Sequence, residues 1–282
     1  MSNFWTRTIT GLSMVFILLA AIYFSGLIFA TIFLLITILG LWEFYGLITN
    51  AHCQPQKVYG TFAGAVIYLT TLIIQNIQLN FREQYLLAFV PLIMPIPLLF
   101  ITFIIEIYRD KPNPLQNIST TILGILYIAV PFSLLLFFSR SSALYYLGMP
   151  VILVGYFAFT WIFDTCAYLY GKQFGKHKLF ERISPKKTWE GTIAGAIITL
   201  ITATGLSFLI TGLPVYDWLA LALIVIVFGA HGDLVESLFK RSLNIKDSGV
   251  ILPGHGGILD RFDTMLISAP FVFLYFFLRN SI

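Results

Sequence analysis

The chain reads as an all-α polytopic membrane protein of about nine transmembrane helices, with a polar site at the cytoplasmic ends of the C-terminal helices. Three observations predict this. Of 282 residues, 58% are hydrophobic, 16% aromatic and only 11% charged, whereas a soluble domain carries roughly 25% charged residues. The apolar residues gather into runs close to the ~20 residues that cross a bilayer as a helix. The few charges gather too, most densely between Ser237 and Asp263. Charge beside lipid is costly, so a dense group of it marks a functional site.

In chain order the spans are 8–24, 26–48, 58–76, 84–107, 119–139, 148–171, 191–212, 216–236 and 257–279. The first two form one run whose length as helix, about 60 Å at 1.5 Å per residue, exceeds one crossing, so the chain must break, and Ser25-Gly26 is the turn. Arg7 precedes an apolar run without a cleavage signature, which reads as a retained span rather than a signal peptide. There is no strong internal repeat. Residues 1–145 form an N-terminal region of about five spans, and residues 146–282 a C-terminal region of about four that carries the chemistry. The intramembrane carboxylates of the first region, Glu43 and Glu106, read as helix-end groups that are solvated or paired.

The basic residues orient the bundle. With nine spans, one side holds Lys57, Arg109, Lys111, Lys172, Lys176, Lys178, Arg182, Lys186, Lys187, Lys240, Arg241 and Lys246. The other holds Arg7, Arg82, Arg140 and Arg279. The positive-inside rule puts the richer side in the cytoplasm and both termini outside. It also accounts for the net charge of +4 without a nucleic-acid partner. The two cysteines, Cys53 in a polar loop and Cys166 inside a span, do not suggest a disulfide framework.

Three polar segments stand out, all in the second region. Span 6 ends with Asp164, Tyr168 and Lys172 at i, i+4 and i+8, one helical face. A carboxylate buried there needs a cation or several donors, and a structural ion pair explains it as well as a site does. The loop that follows holds Ser184-Pro185, read as a turn, then Lys186-Lys187, then Thr188, placed to cap span 7. Paired lysines beside a helix N-terminus suit a phosphate. Basic residues at such an interface mostly set topology or touch anionic lipid, so the pair alone is a weak signal.

The third segment is the densest. Asp233, Glu236, Ser237 and Lys240 make one stripe at the end of span 8, followed by Arg241. Span 9 opens with Asp260 and Asp263 at i and i+3, around Arg261. The loop between them carries Lys246-Asp247 and Pro253-Gly254-His255-Gly256-Gly257. A short loop makes these helices antiparallel neighbours, which brings Asp233 towards Asp260. Two carboxylates close together in low dielectric repel. A hard divalent cation such as Mg2+ relieves this, since it uses one or two carboxylates plus substrate phosphates. Salt bridges from Lys240, Arg241 and Arg261 are the alternative. The glycines permit close backbone approach to a phosphate, and His255 is placed to donate to one. A zinc site is not indicated, because no second His or Cys stands at ligand spacing.

Residues 237–263 resemble the signature of the phosphatidate cytidylyltransferase family, the CDP-diacylglycerol synthases. Ser237, Lys240-Arg241, Lys246-Asp247, Gly249, Pro253, His255-Gly256-Gly257 and Asp260-Arg261-Phe262-Asp263 stand at that signature's spacing. Ser184 to Gly191, and Asp164 with Ala167, Tyr168 and Gly171, are similar to further family segments. The first region offers no comparable motif. The resemblance implies transfer of CMP from CTP to phosphatidic acid, giving CDP-diacylglycerol and pyrophosphate in phospholipid biosynthesis. It also implies a homodimer in a bacterial inner membrane, Mg2+ held by Asp233 and Asp260, and room for a monovalent cation such as K+ beside it. Asp233, Asp260, Asp263, Lys240 and Arg241 are then the catalytic set. Asp164, Lys172, Lys186, Lys187, Glu236, Ser237, Lys246, Asp247, His255, Gly256, Gly257 and Arg261 contact CTP or the lipid headgroup. A cation-coupled transporter is the rival, and it requires acids near the bilayer midplane and broken helices. A polyprenyl or ether-lipid phosphate is the rival acceptor.

Overall fold

The computed structural model describes residues 3–49, 53–76, 93, 95–139, 145–146, 149–210, 212–245, 248–249 and 256–279. The chain divides into two compact units, Met1–Arg140 with Asp247–Phe262, and Ser141–Lys246 with Asp263–Ile282. Residues 247–262 of the signature segment group with the N-terminal helices.

The first unit holds α1 (Asn3–Phe24), α2 (Gly26–Thr49), α3 (Lys57–Asn76), α4 (Pro95–Arg109) and α5 (Pro114–Ser139). The break between α1 and α2 falls at Ser25, whose hydroxyl accepts from Leu27 N and caps α2. Asn113, in the left-handed region, and Pro114 at the first helical position start α5. Within α5, Ile125–Ala129 is π-helical. Pro131 accounts for this, since its ring would clash with the carbonyl four residues back, at Tyr127, and it has no N–H to donate. Packing rests on small residues: a methyl added at Gly60 of α3 or Gly124 of α5 would overlap the Tyr45 ring of α2. Tyr45 Oη donates to Thr121 O at 2.8 Å. Phe33, Phe132 and Phe262 meet edge to face at 5.6–5.8 Å, so the first turn of the last helix is locked into this unit. Between lipid-solvated helices such fitted contact, rather than water exclusion, supplies cohesion.

The second unit holds α6 (Val151–Phe174), α7 (Trp189–Leu209), α8 (Val215–Ser242) and most of α9 (Leu259–Leu278). Two short antiparallel pairs modify the all-α expectation: β1 (Tyr145–Tyr146) with β2 (Met149–Pro150), and β3 (Lys178–Phe180) with β4 (Ser184–Thr188). Ser184-Pro185 is therefore not the turn; Ser184 opens β4 opposite Phe180, and residues 181–183 turn. Thr188 does cap α7, accepting from Gly191 N. The α6–α7 contact is the tightest kind. A methyl on Gly191 would overlap Ala167 O and come within 2.8 Å of Gly171 Cα, and one on Gly195 would lie 3.0 Å from Phe163 O. This is small-xxx-small helix packing. Gly229 and Gly232 seat α8 in the same way against Thr264 and the Asp263 carbonyl of α9. Asn244 in the left-handed region follows α8.

Among the described residues seven helices are long and apolar enough to cross a membrane: α2, α3, α5, α6, α7, α8 and α9. The expected nine therefore include two that fall short. Helix α4 has 15 described residues, and the start of its expected span, 84–92, lies outside the described residues. In α1 the apolar stretch Ser13–Phe24 is below span length. The outward faces suit lipid: Ile193, Ile197 and Ile201 form an exposed stripe along α7.

Candidate functional site

In the second unit, polar side chains from four elements converge. Asp164 comes from α6, Lys187 from β4, Asp233 and Ser237 from α8, and Asp263 and Thr264 from α9. Lys187 Nζ lies 2.5 Å from Asp233 Oδ2, and Ser237 Oγ is 3.2 Å from Asp233 Oδ1. Thr264 ties two of the acids together. Its N–H donates to Asp263 Oδ1 at 2.7 Å, and its hydroxyl lies 3.4 Å from Asp164 Oδ2. Asp263 feels the like charges of Asp233, Asp164 and Glu236. Glu236, buried one turn along α8, is held by Lys240 Nζ at 2.5 Å.

The local chain explains this arrangement. In β4 Lys186 is exposed while Lys187 is partly buried, its ammonium reaching Asp233. Helical spacing puts Asp233, Glu236, Ser237 and Lys240 on one stripe. The glycines at 229 and 232 let α8 approach α9 closely enough to bring Asp233 beside Asp263 and Thr264. Lys172 stays exposed on the last turn of α6. Arg241 is spent on backbone, with Nη1 donating to Ile245 O at 3.1 Å and Nε directed at Ile183 O at 3.5 Å. It braces the end of α8 against the β3–β4 turn. Sequence reasoning missed Glu190, which accepts from Lys176 N and His177 N and pairs with His177 Nδ1 at 2.6 Å. A Glu two residues after a Thr N-cap is the signal that was present.

In the first unit the signature segment wraps a second pair of carboxylates. Asp260 Oδ2 accepts from Ser248 N at 3.0 Å and Gly257 N at 2.9 Å. Gly256 has φ +83°, and a methyl there would meet Asp260 Oδ2. Glu43 of α2, 7% exposed, accepts from Ser248 Oγ at 2.5 Å, Ile258 N at 2.9 Å and Leu259 N at 3.2 Å. Glu43 is therefore not solvated but paired, and its described partners are a hydroxyl and the backbone donors that open α9. Glu106 is paired too, with a cation among its partners: Arg109, Asn117 and Gln56 lie at 2.7–2.8 Å. Arg261 is exposed. Lys246, Asp247 and His255 lie outside the described residues.

The donor set of the second-unit cluster is hard oxygen, the chemistry of a divalent cation such as Mg2+. Among the described residues no three His, Cys, Asp or Glu side chains form a ready-made metal cage.

The family model for the Cytidylyltransferase family matches residues 5–279. The chain belongs to the cytidylyltransferase family. Relatives within the family include a phosphatidate cytidylyltransferase of Staphylococcus aureus (strain COL), 43% identical over 150 residues, 53% of this chain and 55% of the relative. The one from Staphylococcus haemolyticus is 42% identical over 150 residues, with the same shares covered. The one from Bacillus subtilis (strain 168) is 53% identical over 120 residues, 42% of this chain and 44% of the relative. The chain thus spans about half the length of these relatives in the matched alignments. Family membership agrees with the resemblance carried by residues 237–263.

Proposed function

We propose that this protein is a phosphatidate cytidylyltransferase, transferring CMP from CTP to phosphatidic acid with release of pyrophosphate. The observation that carries the reading is the second-unit cluster: neighbouring carboxylates interleaved with lysines at helix ends, in a chain whose relatives bear that name. A phosphate oxygen of the lipid forms the new bond to the α-phosphorus of CTP. The bond from that phosphorus to the α,β-bridging oxygen breaks, and pyrophosphate leaves with the electron pair. No protein nucleophile is required. Both reactants are anions, so the barrier is lowered by positioning and by charge stabilisation.

Asp233 and Asp260 would hold Mg2+, which supplies neutralising charge to the phosphoryl oxygens when bound. Lys187 occupies Asp233 until a phosphate competes for its ammonium group, and Lys240 does the same for Glu236. Lys186, Lys172, Arg241 and Arg261 line the route of the anions, with Lys246, Asp247 and His255 completing the nucleotide end. The backbone at 256–257 orients Asp260 at this end, through the Gly257 N–H. Lipid tails stay in the bilayer. In this reading all nine helices cross, the cluster faces the cytoplasm of a bacterial inner membrane, both termini lie outside, the protein is a homodimer, and a monovalent cation such as K+ accompanies Mg2+. The charge asymmetry of the loops supports the orientation.

The test is pyrophosphate release by the purified protein in detergent. The expected result is release that needs CTP, phosphatidic acid and Mg2+ together. Release with a polyprenyl phosphate but not phosphatidic acid would move the acceptor, and no release under any cation condition would remove the enzyme reading.

A further inference from the structure

Glu43 is a carboxylate in an apolar helix, almost fully buried, and such a group persists only where its partners repay its desolvation. Its partners among the described residues all belong to the signature segment. Oε1 takes Ser248 Oγ and Leu259 N, and Oε2 takes Ile258 N. Two of these donors are backbone N–H groups of the kind left unsatisfied where a helix begins, and an anion suits that positive end. The carboxylate also sets the shape of the segment around it. A methyl on Gly249 would lie 2.8 Å from Glu43 Oε2, and one on Gly257 would overlap both Glu43 Oε1 and Ser248 Oγ. These two glycines are small because Glu43 fills the space beside them. The sequence suggested a different reason, the approach of a phosphate.

The same strands of backbone hold Asp260. Ser248 offers its hydroxyl to Glu43 and its N–H to Asp260, and Gly257 N donates to Asp260 while its Cα packs on Glu43. Glu43 therefore fixes the backbone that orients Asp260, through two residues shared by both carboxylates. We propose that Glu43 is a positioning residue for the nucleotide end of the reaction: it sets Ser248–Gly249 against Gly257–Leu259 and thereby aims Asp260. This rests on the cytidylyltransferase reading for the role of Asp260, and on the hydrogen bonds alone for the fixing of the segment.

Glu43→Gln is the decisive variant. Its amide keeps the volume but puts a donor where the backbone already donates. In the full-length protein in detergent, the variant is expected to raise KM for CTP about tenfold, as for one lost charged hydrogen bond, and to lower kcat on the order of 100-fold through misplacement of the reacting groups. KM for phosphatidic acid should stay within about twofold, and hydrogen exchange at Ile258 and Leu259 should quicken about tenfold. Glu43→Asp, which keeps the charge at shorter reach, should recover part of the loss. A loss that merely follows the folded fraction, or equal changes in both KM values, overturns the proposal. So do unchanged exchange at those two amides, or quicker exchange with unchanged kinetics. If the wild-type protein turns over no CTP with any lipid phosphate, the functional reading fails, while the exchange measurement still decides whether Glu43 fixes the segment.

Discussion

Replacing Lys187 by Met tests the electrostatics of the second-unit cluster directly. The ammonium sits 2.5 Å from Asp233 Oδ2, with the two side chains 27% and 30% exposed. A pair at contact distance near a protein surface has a Coulomb energy of about 4 kcal/mol at an effective dielectric constant of 20. Partial exposure and desolvation reduce the net worth of such a pair to about 1–2 kcal/mol, above the exposed range and below the fully buried one. Lys187 also eases the repulsion between Asp164 and Asp233. Without it, Asp164, Asp233 and Asp263 face one another with less compensation, and the cluster becomes a better host for a cation. A change of 1–2 kcal/mol corresponds to about 5–30-fold in affinity.

The assay is Mn2+ binding by electron paramagnetic resonance on the detergent-solubilised protein without nucleotide. Lys187→Met should tighten Mn2+ by that factor, while KM for CTP rises because a phosphate partner is gone. Lys178→Met, at an exposed position of β3, serves as the control for overall charge and should leave Mn2+ affinity within about twofold. Unchanged or weaker Mn2+ binding in a folded Lys187→Met protein would refute the idea that lysine and metal compete for Asp233.

Three further outcomes follow from particular contacts. Gly191→Val should drive α7 off the α6 backbone and lower stability by about 1–3 kcal/mol, read as a fall in melting temperature. Gly205→Ala on the same helix, where an added methyl meets nothing within 4 Å, should not lower it. Asp217→Asn removes the charge from a buried carboxylate held by Tyr275 Oη at 2.6 Å and Arg279 Nε at 3.2 Å. Since the Arg279 side chain is 42% exposed and rehydrates, thermal or denaturant unfolding should show a loss of about 1–2 kcal/mol rather than that of a fully buried pair. Asp260→Asn should abolish pyrophosphate release while leaving yield and melting temperature unchanged, because the amide oxygen can still accept from Ser248 N and Gly257 N.

Most of the helical plan was legible because lipid imposes a length and a composition on each span, and both are local properties. The observed limits of α2, α3, α6, α7 and α9 fall within three residues of those read from hydropathy. Where the polar register matters more than hydropathy the reading slipped. Helix α8 runs on to Ser242, through the charged stripe that hydropathy alone cuts off. The Lys178–Thr188 segment folds as a hairpin, because alternation over so few residues is too weak a signal to separate strand from loop. Within that hairpin Lys187 is partly buried and Lys186 exposed.

The site was legible in kind but not in assembly. Helical spacing placed Asp233, Glu236, Ser237 and Lys240 on one stripe, and the structure puts Lys187 and Asp263 against it. Glu43 was illegible for a definite reason. Its partners lie more than 200 positions away along the chain, and besides the Ser248 hydroxyl they offer backbone N–H, which every non-proline residue carries and which leaves no mark in a sequence. The mark it does leave is indirect, in Gly249 and Gly257. A glycine in a motif can mean room for a ligand, an unusual dihedral angle or room for another side chain. Of the three signature glycines described, Gly256 is explained by φ +83°, while Gly249 and Gly257 are explained by the Glu43 carboxylate. The glycine-bearing part of the segment is thus shaped partly from within the first unit. A helix that carries no motif of its own, α2, is thereby tied to the geometry of Asp260.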